Sequence, residues 1–135
     1  MAQTKIAVVV RDDLAGWQRL NVTAFLSSGI TAAHPELVGE PYADADDVGY
    51  LPLLGRPVLV YTADAERLRQ VHRKALDRGM RPAIYTAQMF TTGDDDANRA
   101  VVRAVPTAGL DLVGIALHDG RNQVDKVCKG LGLHP

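Results

Sequence analysis

The stretch Ile6-Ala7-Val8-Val9-Val10 decides how the chain folds, because it is a continuous run of apolar and mostly β-branched residues. β-Branched side chains favour extended backbone, and a strand that is apolar at every position is buried on both faces. The charged residues Arg11-Asp12-Asp13 follow at once and end the run. The stretch therefore predicts a central strand of an α/β sheet.

Helical patterns follow this strand. Residues 17–33 predict a helix that ends before Pro35. Residues at spacings of three or four share one face of this helix, namely Trp17, Leu20, Ala24, Phe25 and Ser28. The clearest helix begins after Asp64, a capping residue type, and ends at Gly79. Its apolar stripe consists of Leu68, Val71, His72, Ala75 and Leu76. Two shorter helices are predicted after the acidic run at 94–96 and around residues 124–131.

Three further strands are predicted, at residues 57–62, 81–86 and 110–117. Strands that alternate with helices in this way indicate a three-layer α/β domain with a largely parallel sheet and helices on both faces. Residues 35–56 are rich in Pro and Gly and predict a hairpin or an ordered surface loop, which is often functional. Tyr42 and Tyr50 flank its acidic turn, either as lid aromatics or as anchors of the loop.

Length and composition predict one globular domain over residues 1–135, with 47% apolar and 23% charged residues. The net charge of −1 provides no overall basic field for nucleic acid or anionic lipid. It does not exclude a local basic patch that binds nucleic acid. The single cysteine, Cys128, excludes an intramolecular disulfide, and no apolar run is long enough to cross a bilayer. We expect a cytoplasmic protein without a membrane partner.

The sequence motifs of several enzyme classes are missing. There is no phosphate-binding G-x-x-x-x-G-K-[ST] or G-x-G-x-x-G after the first strand, no G-x-S-x-G and no H-E-x-x-H. Asp44, Asp46 and Gly49 match three positions of a calcium loop, but Val48 and Gly55 stand where oxygen ligands are needed. We therefore expect no metal and no cofactor.

Polar side chains gather where the predicted strands end. In open α/β sheets, ligands bind in the crevice beyond the carboxyl ends of the strands. The candidate ligand-binding residues at strand ends and on the adjoining helix are Arg11, Asp13, Trp17, Asn21, Gln88 and His118. Charges that merely terminate strands are the alternative interpretation.

Phrases along the whole chain resemble two related families. The segment Val9-Val10-Arg11-Asp12-Asp13-Leu14 is similar to the V-V-R-x-D-L junction that opens the archaeal and eukaryotic type of peptidyl-tRNA hydrolase (type II). Four further segments resemble a bacterial domain-of-unknown-function family, number 2000. They are Asn21-Val22-Thr23-Ala24-Phe25-Leu26, Gly39-Glu40-Pro41-Tyr42, Ala87-Gln88-Met89-Phe90 and Asp125-Lys126-Val127-Cys128-Lys129-Gly130-Leu131. The resemblance implies a four-stranded mixed sheet with one antiparallel strand and helices on both faces.

The same resemblance implies that the hydrolytic chemistry is missing. The hydrolases have an essential lysine before their first helix, whereas residues 15–21 contain none. Their aspartate after the third strand corresponds to Gln88, and their threonine four residues later corresponds to Thr92. Loss of the lysine and the carboxylate removes charge stabilisation and proton transfer. Thr92 joins the candidate ligand-binding residues.

Three functions remain as alternatives. We favour binding of a small molecule or a peptide in the crevice at the ends of strands one and three, with or without a reaction. The second is hydrolysis of peptidyl-tRNA or a related RNA substrate, which needs a basic patch such as that offered by Arg67, Arg69, Arg73, Lys74, Arg78 and Arg81. The third is a homodimeric interaction module.

Overall fold

A computed structural model describes residues 3–135 of the chain. Its elements, in chain order, are β1 (Thr4–Arg11), α1 (Gly16–Ala33), β2 (Tyr42–Ala43), β3 (Gly49–Tyr50), β4 (Val58–Ala63), α2 (Ala65–Asp77), β5 (Ala83–Thr86), α3 (Asp95–Arg103), β6 (Leu112–Gly120), α4 (Arg121–Val127) and β7 (Gly132–Leu133). Short 3-10 turns lie at Pro35–Leu37, Ala87–Thr91 and Thr107–Gly109. The four predicted strands correspond to β1, β4, β5 and β6, and the four predicted helices correspond to α1–α4.

The main sheet has five strands in the order β5-β6-β1-β4-β7. β1 and β4 are parallel, with Ile6 opposite Val58, whereas β6 runs antiparallel to both β1 and β5. β7 pairs antiparallel with the outer side of β4. The mixed sheet that the resemblance implies is confirmed, but the expected four strands are wrong, because β7 adds a fifth. The expectations of one antiparallel strand and of a largely parallel sheet are also wrong, because β6 and β7 both run antiparallel to β1.

The direction of β6 follows from the path of the chain after β5. The segment from the Ala87–Thr91 turn through α3 returns to the sheet at the same end, where Ala87 N donates to Asp111 O at 2.9 Å. No residue of α3 is buried, so α3 does not cover the sheet as a crossover helix would. The helix between β5 and β6 thus predicted a parallel crossover, and the chain does not make one at this connection.

Alternate residues of β1 enter two separate core clusters, as the period of two in a strand requires. Ile6, Val8 and Val10 pack with apolar residues of α1. Ala7 and Val9 pack with residues of α2 and α4. The β1 strand is therefore buried along most of its length, as its composition predicts.

Helix α1 places a different face on the sheet from the one that holds its largest side chains. Its buried residues are Val22, Leu26 and Ile30, which are four residues apart. Trp17 is 64% exposed and Leu20 is 75% exposed. The helix carries apolar residues on two faces, and the aromatic face points away from the core beneath it.

Gly114 of β6 lets α1 approach the sheet closely. A Cβ atom at Gly114 would lie 2.5 Å from Val22 Cγ1 and 3.0 Å from Leu26 Cδ1, both of which are shorter than van der Waals contact. The missing side chain at this position therefore sets the distance between α1 and the sheet.

Helix α2 is held at both ends as the sequence predicts. Asp64 Oδ1 accepts a hydrogen bond from Arg67 N at 2.8 Å and so caps the first turn. Gly79 has a φ of 74°, which supplies the left-handed residue after the helix.

The irregular segment contains the expected hairpin, formed by β2 and β3 with Tyr42 opposite Tyr50. Asp44 Oδ1 accepts from Asp46 N at 2.9 Å and Val48 N at 3.1 Å, and Asp44 Oδ2 accepts from the Tyr50 hydroxyl at 2.6 Å. These bonds, the Tyr50 one first, lower the pKa of Asp44. Every residue from 39 to 51 is exposed, so the hairpin contributes nothing to the core.

Candidate functional site

The end of β1 is organised by the Arg11 side chain. Arg11 Nε donates to Asp13 Oδ1 at 2.7 Å, and Arg11 Nη1 donates to Asp111 Oδ1 at 2.9 Å. Burial alone would lower the pKa of Arg11, but the bonds to these two carboxylates outweigh it and raise the pKa. The guanidinium is therefore a permanent cation that ties the turn after β1 to the start of β6.

Arg19 fixes the same turn from the helix side. Its Nε donates to Leu14 O at 3.0 Å, and its Nη2 donates to Asp12 O. Its Nη1 lies 3.3 Å from His134 Nε2, next to the C-terminal strand β7. The first turn of α1 is thus held in place by side-chain bonds to backbone carbonyls, which orients the residues of α1 that follow.

A row of aromatic rings links the exposed face of α1 to β5 and the turn after it. The ring centroids of Trp17 and Phe90 are 6.0 Å apart, those of Tyr85 and Phe90 are 5.1 Å apart, and those of Phe25 and Tyr85 are 5.9 Å apart. These separations are typical of favourable edge-to-face and tilted contacts. The two rings from α1 stay largely exposed, whereas Tyr85 is 5% exposed.

This row lines a cavity of about 500 Å³, which we call the α1 crevice. Polar groups enter it from Asn21 of α1, from Thr92 and from Asn98 of α3. The Thr92 hydroxyl contacts Asn98 Oδ1 and lies 2.9 Å from Met89 O. An apolar wall with a few placed hydroxyl and amide groups is the usual composition of a small-molecule site.

Tyr85 is the buried ring of the row, and it is the one that carries a hydroxyl group. Burial raises its pKa, and a bond with the Asn21 side chain opposes that rise. Tyr85 is therefore a neutral phenol at physiological pH, able to donate a hydrogen bond.

Three of the seven candidate residues from the sequence line the α1 crevice, namely Trp17, Asn21 and Thr92. Gln88 lies in the same 3-10 turn as Phe90 and is exposed, but it does not line the crevice. Arg11 and Asp13 lie at the same end of the sheet, in the ion pairs described above. The turn after β1 and the segment at Thr92 thus border one region.

His118 lies at the opposite end of the sheet, because β6 is antiparallel to β1 and its carboxyl end faces the other way. Its ring centroid is 4.4 Å from that of His34, which follows α1. Burial, followed by the nearby His34, lowers the pKa of His118. The expectation that His118 shares a crevice with Trp17 and Asn21 is wrong, since it assumed a parallel fourth strand.

Sequence reasoning missed Tyr85 and Phe90, which complete the aromatic row. Tyr85 sits on the face of β5 that meets α1, so strand alternation carried a signal. Phe90 lies in a 3-10 turn, where no periodicity assigns a direction to its side chain. Tyr42 and Tyr50, candidates for lid aromatics, belong to the exposed hairpin and do not line the crevice.

A second, more open hollow of about 590 Å³ runs along α3 and shares Met89, Asp95 and Asn98 with the crevice. Its remaining wall comes from the exposed side of α3, including Arg99 and Arg103. Because it holds no aromatic side chain, we regard the α1 crevice as the better candidate site.

The described residues lack two features that would define other kinds of site. Among residues 3–135, no group of three or more His, Cys, Asp or Glu side chains is arranged to hold a metal ion. In the same residues, no helix has the length and apolar character needed to traverse a bilayer.

Comparisons with known proteins identify a family and a close structural relative. Residues 4–135 match the family described as protein of unknown function (DUF2000). The structure of Atu0240, a protein of unknown function from Agrobacterium tumefaciens strain C58, is similar to this chain with a TM-score of 0.97 and 47% identity, over 100% of both chains. The curated proteins contain no match. Since the family match covers almost the whole sequence, the chain belongs to the DUF2000 family.

Proposed function

We propose that the protein binds a small molecule or a peptide in the α1 crevice and that the ligand presents an apolar, preferably aromatic, group to the ring row. The observation that carries this proposal is the exposure of Trp17 and Phe25, at 64% and 53%, beside a cavity. Large aromatic side chains are costly to leave in water, and exposed apolar surface next to a hollow marks binding sites.

The polar groups of the crevice would orient the ligand. Asn21 and Asn98 each offer an amide that can donate and accept, and the Tyr85 hydroxyl can donate. The lining includes Asp94 and Asp95 but no lysine, arginine or histidine. A ligand with a phosphate chain would therefore find no cation in the crevice, which argues against RNA as its occupant.

The chain offers an internal reporter for this proposal, since Trp17 is its only tryptophan. A panel of metabolites and short peptides would be titrated while Trp17 emission is recorded. A ligand in the crevice should quench or blue-shift the emission as it covers the indole. Phe25→Ala should weaken binding about tenfold, the usual loss when a central aromatic contact is removed. Asn21→Ala should also weaken it.

Tyr42→Ala is the matched control, because Tyr42 is 54% exposed and lies in the hairpin, outside the crevice. It should bind as the natural protein does. Saturable binding that leaves Trp17 emission unchanged, or binding equally tight in Phe25→Ala, would show that the ligand site is elsewhere.

A second candidate function is self-association through the exposed face of α1, forming a homodimer. Leu20 favours it, because this side chain is 75% exposed beside Trp17 and does not line the crevice. Sedimentation equilibrium of the natural protein and of Leu20→Glu separates the two functions. A dimer that Leu20→Glu converts to a monomer supports association; a natural protein that is monomeric at high concentration refutes it.

The proposal extends to the type of fold and to the place of the protein in the cell. We infer one three-layer domain of the peptidyl-tRNA hydrolase II type, supported by alternate β1 residues packing with α1 on one side and with α2 and α4 on the other.

We expect no cleavage of peptidyl-tRNA, because residues 15–21 hold no lysine. Measured cleavage of a peptidyl-tRNA above that of a boiled sample would refute this. The single buried thiol of Cys128 is consistent with a cytoplasmic protein.

A further inference from the structure

A separate cavity, of about 300 Å³, lies at the end of the sheet opposite the α1 crevice. It is formed where β1 and β4 begin and where α4 starts. Three cationic side chains line it: Lys5, Arg56 and Arg121. We call it the basic cavity, and it shares no lining residue with the α1 crevice.

Two of the three cations form no ion pair with the part of the chain that the structure describes. Lys5 Nζ is bonded to Asp125 Oδ1 at 2.6 Å and is thereby neutralised. Among the described residues, the Arg121 guanidinium donates to the neutral amide oxygen of Gln3, at 3.4 Å, and to no carboxylate side chain. Within residues 3–135, Arg56 forms neither an ion pair nor a side-chain hydrogen bond. The cavity therefore has an excess of positive charge.

The acidic groups nearby do not remove this excess. Asp119 lies opposite Lys5 in the register of β1 and β6. Its Oδ1 accepts a hydrogen bond from Gly120 N rather than from one of the cations. Asp125 is used by Lys5. Neither carboxylate lines the basic cavity, and both guanidinium groups keep free donors.

A hydroxyl without a partner lies in the same wall. Thr4 lines the basic cavity, and its Oγ1 is buried with no hydrogen-bond partner in the described chain. A buried polar group that lacks a partner costs free energy and calls for an explanation in function. An acceptor group bound beside Thr4 would supply the missing partner.

Part of the wall is apolar, because Pro57 and Leu59 also line the cavity. Two guanidinium groups without carboxylate partners offer several charge-assisted donors, which suits an oxyanion with three or more acceptor oxygens, such as phosphate, better than a carboxylate with two. The apolar wall offers a contact for carbon atoms attached to that group.

We propose that the basic cavity binds the phosphate group of a small phosphomonoester. Arg56 and Arg121 bind the phosphate oxygens, Thr4 supplies a further donor, and Leu59 contacts the carbon skeleton. This site is separate from the α1 crevice, so it stands whether or not the crevice proposal is correct.

Binding would be measured at low ionic strength with three probes: inorganic phosphate, glycerol 3-phosphate and acetate. Titration calorimetry gives the affinities, and amide chemical-shift changes locate the site. We expect saturable binding of both phosphates with shifts at residues 3–5, 56–59 and 121, tighter binding of glycerol 3-phosphate, and no saturable binding of acetate. Equal affinity for inorganic phosphate and glycerol 3-phosphate would overturn the phosphomonoester assignment.

Arg56→Gln and Arg121→Gln should each weaken phosphate binding about tenfold or more, as expected for loss of a charge-assisted hydrogen bond. The matched control is Arg81→Gln, an exposed arginine that precedes β5 and does not line the cavity. It should bind phosphate as tightly as the natural protein.

Thr4→Val separates a binding role from a structural one. It should weaken phosphate binding while the melting temperature stays level or rises, because a methyl group replaces an unpartnered hydroxyl. Failure of phosphate and glycerol 3-phosphate to saturate would overturn the proposal, and so would equal losses in Arg81→Gln and Arg56→Gln. A melting curve of each variant shows that it remains folded.

Discussion

The contact between α1 and Gly114 offers the sharpest test of how the crevice is positioned. A methyl group at Gly114 would lie 2.5 Å from Val22 Cγ1, about 1 Å inside normal contact distance. Val22 is fully buried and belongs to the cluster that holds α1 on the sheet, so it has little room to move away. Gly114→Ala must therefore displace α1 or distort β6.

Overpacking of this kind costs about 2 kcal/mol of unfolding free energy. For a chain of this length, each kcal/mol lowers the melting temperature by about 4 °C, so we expect a fall of roughly 8 °C. Because α1 also carries Trp17 and Phe25, its displacement should alter Trp17 fluorescence in the folded state. Differential scanning calorimetry and tryptophan emission measure the two effects.

The matched control is Gly16→Ala, which lies in the first turn of the same helix with no atom within 4 Å of the new methyl group. Alanine favours helix more than glycine does, so this variant should be equal to the natural protein or slightly more stable. If Gly114→Ala melts within a degree of Gly16→Ala, α1 does not lie against β6 as described, and the geometry assigned to the crevice is wrong.

Further measurements test the packing and titration of other groups. Burial raises the pKa of Cys128 to about 11, so the thiolate is about one part in a thousand at pH 8; a thiol reagent should label the unfolded chain far faster than the native protein, and equal rates would contradict the burial. Burial lowers the pKa of His72 and of His118 from 6.5. The unfolded chain therefore binds protons at higher pH, and stability should be full above about pH 6.5 and fall as the pH drops below it. Chemical denaturation of His72→Gln across this range should show a flatter pH profile, and an unchanged one would refute the assignment. Asp64→Ala removes the cap on Arg67 N and should cost about 1 kcal/mol in urea unfolding, whereas no loss would mean that solvent replaces the cap.

The elements of the fold were predictable where local chemistry determines them. The β1 run has apolar residues at every position, and α2 has a cap, a single apolar stripe and a terminal glycine, so each has one consistent interpretation. Strand β7 has only two residues and no pattern, so its pairing with β4 depends on tertiary contacts. Residue patterns likewise could not assign the direction of β6, because it depends on α3 staying at the sheet end; the resemblance implied one antiparallel strand without identifying it.

The candidate site was predictable in part for similar reasons. Trp17, Asn21 and Thr92 share the crevice because the turn after β1 and the segment after β5 leave the sheet at the same end. The predicted position of His118 was wrong because its strand, β6, runs in the opposite direction to the one expected. The face of α1 was ambiguous from sequence alone, since Val22, Leu26 and Ile30 also recur at helical spacing.

The hairpin of β2 and β3 has a consequence for how this chain can vary. Its turn is held by Asp44 and the Tyr50 hydroxyl, and none of its side chains is buried. Residues can be inserted or exchanged there at little thermodynamic expense, since lengthening a surface loop adds only a small closure entropy. The hairpin can therefore change in length and sequence while the main sheet, the α1 crevice and the basic cavity keep their structure.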